Sequence, residues 1–214
     1  LNRRNVSAFC KKLGVSENVF FLTAYNLSIG LFSNEKDTVS SSIHSGRTDS
    51  RWNRLAGPLF LTYFFRNKEG VDQTVPELLK TNATQIMDTM RCYISNLHAD
   101  EMFFQYQGDI LNIDTVGGYP AERQRMQLDS LPFHLQVFTD AKGYYYELRY
   151  WENRFDTRQL HDFLTVMESL MDAMQEETLV RRLSRRLPDR LFPLHYTITV
   201  GELNQAAKGQ LVTG

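Results

Sequence analysis

The sequence predicts an α/β domain in which helices flank a layered mixed sheet. The main observation is that helix-like and strand-like patterns alternate in the order helix, helix, strand, strand, helix, helix, hairpin, helix and strand. The second is that the 214 residues are 42% hydrophobic and 12% aromatic, which suffices for a substantial core.

Two helices open the chain. Residues Asn2–Leu13 form a short helical pattern that stops at Gly14, where a C-cap glycine belongs. Ser16 is placed to cap a second helix over Val19–Phe32. Apolar residues cover more than half of the circumference of this second helix, so we expect it to be largely buried.

Two strand patterns follow, over Asp37–His44 and Leu59–Phe65. The first leads into Gly46-Arg47, and the second is followed at once by Arg66. The two arginines are either solvated charges that cap ordinary strands, or they are aimed from two strand ends at one site. The sequence pattern leaves both interpretations open.

A helix is next predicted from the capping box of Thr74 and Glu77 to about Ser95. A second helical piece is predicted over Ala99–Gln107. The stretch Asp114–Pro132 carries two glycines and two prolines and few periodic apolar residues. We expect it to be a long surface loop.

The last elements are a hairpin, a helix and a strand. Phe133–Thr139 and Tyr144–Trp151 are predicted to pair through a short loop that contains Gly143. Asp156 is expected to cap the following helix, and residues 196–200 read as a final strand.

The charge balance, the apolar runs and the cysteines indicate which functional classes are unfavourable for this chain. The 24 Lys and Arg residues balance 25 Asp and Glu residues, which argues against a dedicated nucleic-acid binder. No apolar run approaches the roughly 18 residues of a membrane-spanning helix, and no signal peptide is recognised. The unpaired Cys10 and Cys92 suggest reduced thiols and a cytoplasmic location.

No catalytic residue and no metal site is predicted from the residues alone. The five histidines include no pair at the three- or four-residue spacing of metal ligands. Glu168 and Asp172 share a helix face and are either an acid–base pair or, as we favour, part of a solvated face. His134 is interpreted as an ordinary sheet histidine, whereas His44 lies two residues before Gly46 and is the histidine candidate for a site.

The first methionine of the chain is Met87, inside a predicted helix. We therefore expect the sequence to be part of a longer polypeptide.

Three stretches together resemble one family. "LGVSENVFFLTAYNLSIGLFSNEKDTVSSSIHSGR" (Leu13–Arg47) resembles the middle of condensation domains of nonribosomal peptide synthetases, where a helix leads into a strand that ends in Gly-Arg. "LAGPLFLTYFFR" (Leu55–Arg66) is similar to the family's Gly-Pro-Phe-x-Asn-Thr segment. "LPFHLQVFTDAKGYYYELRYWENRFDTRQL" (Leu131–Leu160) resembles its late paired strands and helix start.

The resemblance implies that residues 1–178 are the C-terminal lobe of a two-lobed, chloramphenicol-acetyltransferase-like fold. Residues 179–214, which it does not cover, are predicted to be a basic helix and tail of unknown role. The family's catalytic motif, His-His-x-x-x-Asp-Gly, belongs to the other lobe and is absent here. By the resemblance, Gly46 forms the turn and Arg47 pairs with the aspartate of that motif. The candidates for lining the tunnel are His44, Gly57, Pro58, Thr62 and Arg66.

The activity implied is amide formation between acyl thioesters bound to carrier proteins. The implied partners are the N-terminal lobe of the same polypeptide and peptidyl carrier domains, whose phosphopantetheine arm carries the substrate and is not a bound cofactor. The chain alone is expected to be inactive, and either to self-associate or to leave residues 114–130 disordered. Leu61 and Phe64 stand where the motif has asparagine and proline, which favours a non-catalytic docking or scaffolding module as the alternative. A third hypothesis is an unrelated α/β domain.

Overall fold

The structure is a computed structural model, which describes residues 2–47, 50–55, 57, 59–68, 70, 72–91, 102–108, 115–116, 118–121, 131–139, 143–176 and 179–186. The helices are α1 (Arg3–Leu13), α2 (Glu17–Ser33), α3 (Val75–Arg91) and α4 (Thr157–Glu176), with short 3-10 helices at Ser50–Arg54 and Val180–Arg186. The strands are β1 (Asp37–His44), β2 (Leu61–Lys68), β3 (Met102–Gly108), β4 (Thr115–Val116), β5 (Tyr119–Pro120), β6 (Phe133–Thr139) and β7 (Tyr144–Tyr150). None of the helices in these ranges has the length and hydrophobicity that a membrane crossing requires.

Five of the described strands form a mixed sheet in the order β2-β1-β3-β6-β7. The central strands β1, β3 and β6 are parallel, and β2 and β7 are antiparallel to their neighbours. The ends of β1, β3 and β6 therefore share one edge of the sheet with the starts of β2 and β7. We call this edge the carboxyl edge. The predicted class, a mixed sheet flanked by helices, is confirmed.

Capping residues bound the first two helices, and Gly14 and Ser16 have the capping roles predicted for them. The Asn2 side chain accepts hydrogen bonds from the first turn of α1, and Gly14 adopts a left-handed conformation just after it. The Ser16 hydroxyl accepts from the backbone N–H of Val19, and α2 begins at Glu17, two residues earlier than predicted. As expected, α2 is buried along most of its length.

The helix α2 lies against the centre of the sheet and holds the aromatic core together. The ring of Tyr25 packs against Phe104 of β3, Phe133 of β6 and Phe163 of α4, with centroids 5.2 to 6.2 Å apart. These rings come from three elements that are distant in sequence. Their contacts therefore fix where α4 and the parallel strands meet α2.

Buried polar side chains join the same helix to β1 and, through α3, to β2. Asn26 donates to Ser40 Oγ at 2.8 Å. Asn82 of α3 donates to Thr23 Oγ1 and to Asn67 Oδ1, both at 3.0 Å. All five side chains are buried, so each depends on its partner for hydrogen bonding.

The prediction of a helical piece at Ala99–Gln107 was wrong, because residues 102–108 form β3. Phe104 and Tyr106 face α2, and Phe103 faces the other side, which is the alternation of a strand. β3 pairs with both β1 and β6, and these tertiary contacts decide its conformation.

The other element boundaries differ by small amounts. β2 begins at Leu61 instead of Leu59. The Thr74–Glu77 capping box is confirmed by reciprocal hydrogen bonds, and α3 is described as far as Arg91, so its predicted end near Ser95 lies outside the described residues. Within the predicted loop, residues 115–116 and 119–120 pair as a small hairpin.

The hairpin of β6 and β7 and the start of α4 agree with the sequence patterns that predicted them. β6 and β7 form the predicted hairpin, and Asp156 caps α4 by accepting from the N–H of Arg158. Val180 and Leu183 pack into the core cluster beyond the proposed lobe boundary at residue 178, which stays a prediction. The predicted strand at residues 196–200 lies outside the described residues.

The sheet has a second face, opposite α2, that we call the distal face. One row across it contains residues that stand opposite one another on successive strands: Phe64, Ser41, Phe103, His134 and Arg149. Residues two positions along each strand share this face. The face thus combines aromatic and polar side chains, unlike the mainly apolar face beneath α2.

We predict that Asn82→Ala lowers the free energy of unfolding by about 1–3 kcal/mol, because it leaves the buried Asn67 and Thr23 side chains without their donor. Urea unfolding is the measurement. Thr81→Ala, on the exposed side of the same helix, is the matched control, since Asn and Thr have similar helix propensity. Equal effects of the two substitutions would contradict the role of the buried network.

Candidate functional site at the carboxyl edge

Gly46 forms a tight corner where β1 ends. Its φ is +68°, and a Cβ built at this position would lie 1.7 Å from the carbonyl oxygen of Leu59. Both the backbone conformation and the contact therefore require glycine. The Gly46 N–H donates to Nδ1 of His44 at 3.1 Å, so that imidazole is held against the corner. The end of β1 and the approach to β2 meet here.

Arg47 extends from this corner across the connection to β2. Its guanidinium donates to the carbonyl oxygen of Trp52 through Nη1 and to that of Gly57 through Nη2, the latter at 3.4 Å. Both partners are neutral. Within the part of the chain that the structure describes, Arg47 forms no ion pair with a carboxylate. Among the described residues, its partners are therefore two carbonyl oxygens at the carboxyl edge.

Two other predicted tunnel residues lie near the same edge. Gly57 is exposed and supplies its carbonyl to Arg47. Thr62 is the second residue of β2 and stands opposite Ile43 on the distal face, half-buried. Pro58 lies outside the described residues.

Arg66 is not brought to this corner. It lies at the far end of β2, where its Nε and Nη2 donate to the two carboxylate oxygens of Asp37 at 2.7 and 2.5 Å. The hydrogen bond from Arg66 lowers the pKa of Asp37, and the same bond raises that of Arg66. Because β2 runs antiparallel to β1, its end lies beside the beginning of β1. The two arginines of the sequence pattern therefore occupy opposite edges of the sheet, and a role for Arg66 in a tunnel stays a prediction.

A polar cluster occupies the distal face on β3, β6 and β7. Gln136 donates to Gln105 at 2.8 Å, and Arg149 donates to Glu147 at 2.6 Å. His134 lies in the same region. Its burial lowers its pKa to about 4, and the Arg149 charge acts in the same direction while Glu147 opposes it. The sequence shows that these residues alternate on strands, but it does not show that they are withdrawn from water.

A carboxylate fastens α1 and α2 to the carboxyl edge. Glu17 accepts a hydrogen bond from Ser7 of α1 through Oε1, and one from the Tyr106 hydroxyl through Oε2 at 2.5 Å. Phe21 stacks on Tyr106 and meets Tyr144 edge-on, with centroids 5.6 and 4.7 Å apart. Burial is the main cause that raises the pKa of Tyr106, and the Glu17 carboxylate raises it further. This phenol therefore remains a hydrogen-bond donor. No motif or spacing in the sequence indicates this cluster, because its residues lie on α1, α2, β3 and β7.

Other reactive groups give little support for catalysis by this chain. Burial raises the pKa of the Cys10 thiol to about 12, so it stays protonated at neutral pH. Glu168 and Asp172 are both exposed on α4, as expected for a solvated face. No group of residues suited to hold a metal ion occurs among those the structure describes. Cys92 lies outside them.

Comparisons with known proteins identify the fold. No family model matches the chain, and no curated protein matches it significantly. Among solved structures, it is similar to AB3403, a four-domain nonribosomal peptide synthetase bound to AMP and glycine, with a TM-score of 0.71 and 15% identity over 87% of this chain and 17% of that one.

Two solved structures of single domains are also similar to the chain. The epimerization domain from the third module of tyrocidine synthetase B matches with a TM-score of 0.63 and 12% identity over 81% of this chain and 45% of that one. The condensation domain of the Monacolin K polyketide synthase MokA matches with a TM-score of 0.62 and 15% identity over 82% and 45%. The chain therefore has a condensation-domain-like fold, and it spans less than half the length of these three proteins.

We predict that Gly46→Ala destabilises the chain more than Gly14→Ala does. Both glycines have a positive φ near 70°, but a Cβ at Gly14 meets nothing within 4 Å. The control therefore measures backbone strain alone, and the overlap with Leu59 adds about 1–3 kcal/mol at Gly46. Denaturant unfolding of both variants tests this, and equal losses would show that the corner tolerates a side chain.

We predict that the wild-type chain loses stability, relative to His134→Gln, as the pH falls from about 6.5 to about 4. The unfolded imidazole binds its proton near pH 6.5 and the folded one only near pH 4, so the unfolded state holds more protons between these values. The expected relative loss is about 1–3 kcal/mol. Unfolding curves across this range measure it, with His161→Gln, at an exposed position of α4, as the matched control. Parallel curves for wild type and His134→Gln would exclude the buried histidine as the cause.

Proposed function

We propose that this chain is the C-terminal lobe of a condensation-type acyltransferase domain. In this proposal it supplies one wall of the tunnel in which two carrier-bound substrates meet. A preceding lobe of the same polypeptide carries the His-His-x-x-x-Asp-Gly motif. The condensation-domain-like fold and the partial coverage of its structural neighbours support this assignment.

The observation that carries the proposal is the presentation of Arg47. The Gly46 corner fixes the backbone at the carboxyl edge, and the guanidinium is held by carbonyl oxygens of Trp52 and Gly57. These neutral acceptors orient the side chain, and the guanidinium can still form an ion pair with a carboxylate outside the described residues. A planar guanidinium holds a carboxylate through two parallel hydrogen bonds. Arg47 thus fits a contact with the aspartate of the catalytic motif.

The reaction proposed for the complete domain is amide formation. The amine nitrogen of the acceptor attacks the thioester carbonyl of the donor, the C–N bond forms and the C–S bond breaks. The phosphopantetheine thiol leaves, and the proton released by the amine goes to the histidine and then to the sulfur. Arg47 contacts no reacting atom. It is a positioning residue, which fixes the loop that presents the histidine.

The proposal predicts that the purified chain forms no amide from carrier-bound thioesters, and that the longer polypeptide does. In that polypeptide, Arg47→Ala should lower kcat by about 10²–10³-fold, since an unpaired buried carboxylate costs about 3–5 kcal/mol. Arg47→Lys should restore part of the rate because it keeps the charge. Product formation is followed by mass spectrometry of the carrier-bound species.

Arg54→Ala is the matched control, because Arg54 is exposed on the 3-10 helix of the same connection. It should leave kcat unchanged. The proposal fails if Arg47→Ala retains the wild-type rate, or if the chain alone forms the amide above a no-protein control. The latter result would direct attention to His44.

A second function, a docking or scaffolding module of the same fold, is favoured by Leu61 and Phe64. Leu61 stands opposite His44 at the carboxyl edge, and Phe64 stands opposite Ser41 on the distal face. These apolar residues replace the asparagine and proline of the family motif. A polypeptide that binds carrier domains without forming amides would support this alternative.

A further inference from the structure

Two buried polar atoms on the distal face have no hydrogen-bond partner among the described residues. They are Nε2 of His134 and Oε1 of Gln136. The amide nitrogen of Gln136 is fixed by its bond to Gln105, so its oxygen is held in a set direction. Gln136 is only 7% exposed, which excludes bulk water as a full substitute. Buried polar atoms are normally partnered, so within the described residues this pair is open to hydrogen bonding by a ligand.

The spacing of the two atoms limits what this ligand can be. His134 and Gln136 are two positions apart on β6, so their side chains project from the same face and their Cα atoms lie about 7 Å apart. Phe103 meets the His134 ring edge-on, with centroids 4.8 Å apart, and supplies an apolar side to the position. A single planar group that donates at one end and accepts at the other spans this distance with two hydrogen bonds of about 2.9 Å.

The charged side chains near these two atoms further limit the kind of ligand that can bind. Arg149 stands opposite His134, and its guanidinium disfavours a cationic ligand. Glu147 stands opposite Gln136, and its carboxylate disfavours an anionic one. These two side chains also pair with each other at 2.6 Å, which leaves the surroundings close to neutral. The ligand expected here is uncharged.

We propose that His134 and Gln136 form a subsite for one secondary amide. Oε1 of Gln136 accepts the amide N–H, and Nε2 of His134, in the tautomer that carries hydrogen there, donates to the amide carbonyl. The source of the amide, either the pantetheine arm of a carrier or a peptide bond of its acyl group, rests on the proposed function. The subsite itself rests on the geometry of β6.

Binding to the 214-residue chain tests the subsite without requiring catalysis. The chain, labelled with 15N-histidine, gives signals from five histidines, and His134→Gln identifies the signal of His134. D-pantetheine and N-acetylalanine N-methylamide represent the two sources of the amide. The ester analogue of the second compound, in which oxygen replaces each amide nitrogen, is the ligand control.

An amide probe is expected to shift the Nε2 resonance of His134 in a saturable manner, and the ester analogue is not. The probe that saturates at the lower concentration identifies the source. Gln136→Leu should weaken binding by about 2- to 10-fold, as for the loss of one neutral hydrogen bond. Tyr145→Phe, on the distal face of neighbouring β7, should not. If Gln136→Leu misfolds, Gln136→Asn, which withdraws the same oxygen, replaces it.

The subsite is overturned if no amide probe shifts the His134 resonance, if the ester analogue shifts it equally, or if the Gln136 substitution leaves binding unchanged. These outcomes concern ligand recognition by β6 alone. The proposed function is tested separately, by amide formation in the longer polypeptide and by the Arg47 variants. Failure of the subsite is therefore distinguishable from failure of the proposed function.

Discussion

The fold depends on how a buried helix is oriented against the sheet. α2 is buried along most of its length, so hydrophobic burial alone does not select one rotation of the helix over another. Hydrogen bonds are directional, and the bonds of Asn26 to Ser40 and of Thr23 to Asn82 are satisfied in one orientation. This polar contact sets the direction in which Tyr25 meets the aromatic residues of β3, β6 and α4. The same arrangement positions β1, so that the end of this strand and the Gly46 corner lie at the carboxyl edge.

The corner shows how backbone geometry supplies the main feature of the candidate site. Gly46 is constrained twice, by its positive φ and by the Leu59 carbonyl, and the position of Arg47 follows from both. Nothing else in the described residues needs to be reactive for this arrangement to work. The fully buried Cys10 thiol and the exposed carboxylates of α4 are unsuited to chemistry for different reasons. This distribution of groups is why the proposed function assigns a positioning charge to this chain and the base to another lobe.

Local signals predicted the structure well where capping residues decide it. Ser16, Thr74 and Asp156 marked helix starts because each satisfies backbone groups within a few residues. β3 was missed because its short aromatic run is compatible with a helix, and its pairing with β1 and β6 joins distant parts of the chain. The position of Arg66 depends on strand direction, which a strand pattern does not encode. The burial of His134 and Gln136 depends on neighbouring strands in the same way.

The bonds of Glu17 couple the first helix to the sheet mechanically. Its two oxygens accept from Ser7 on α1 and from Tyr106 near the end of β3. Because Glu17 belongs to α2, moving α1 away would remove the Ser7 donor from this half-buried carboxylate, and moving β3 away would remove the Tyr106 donor. One side chain of α2 thus joins α1 and the end of β3 near the edge where Arg47 lies.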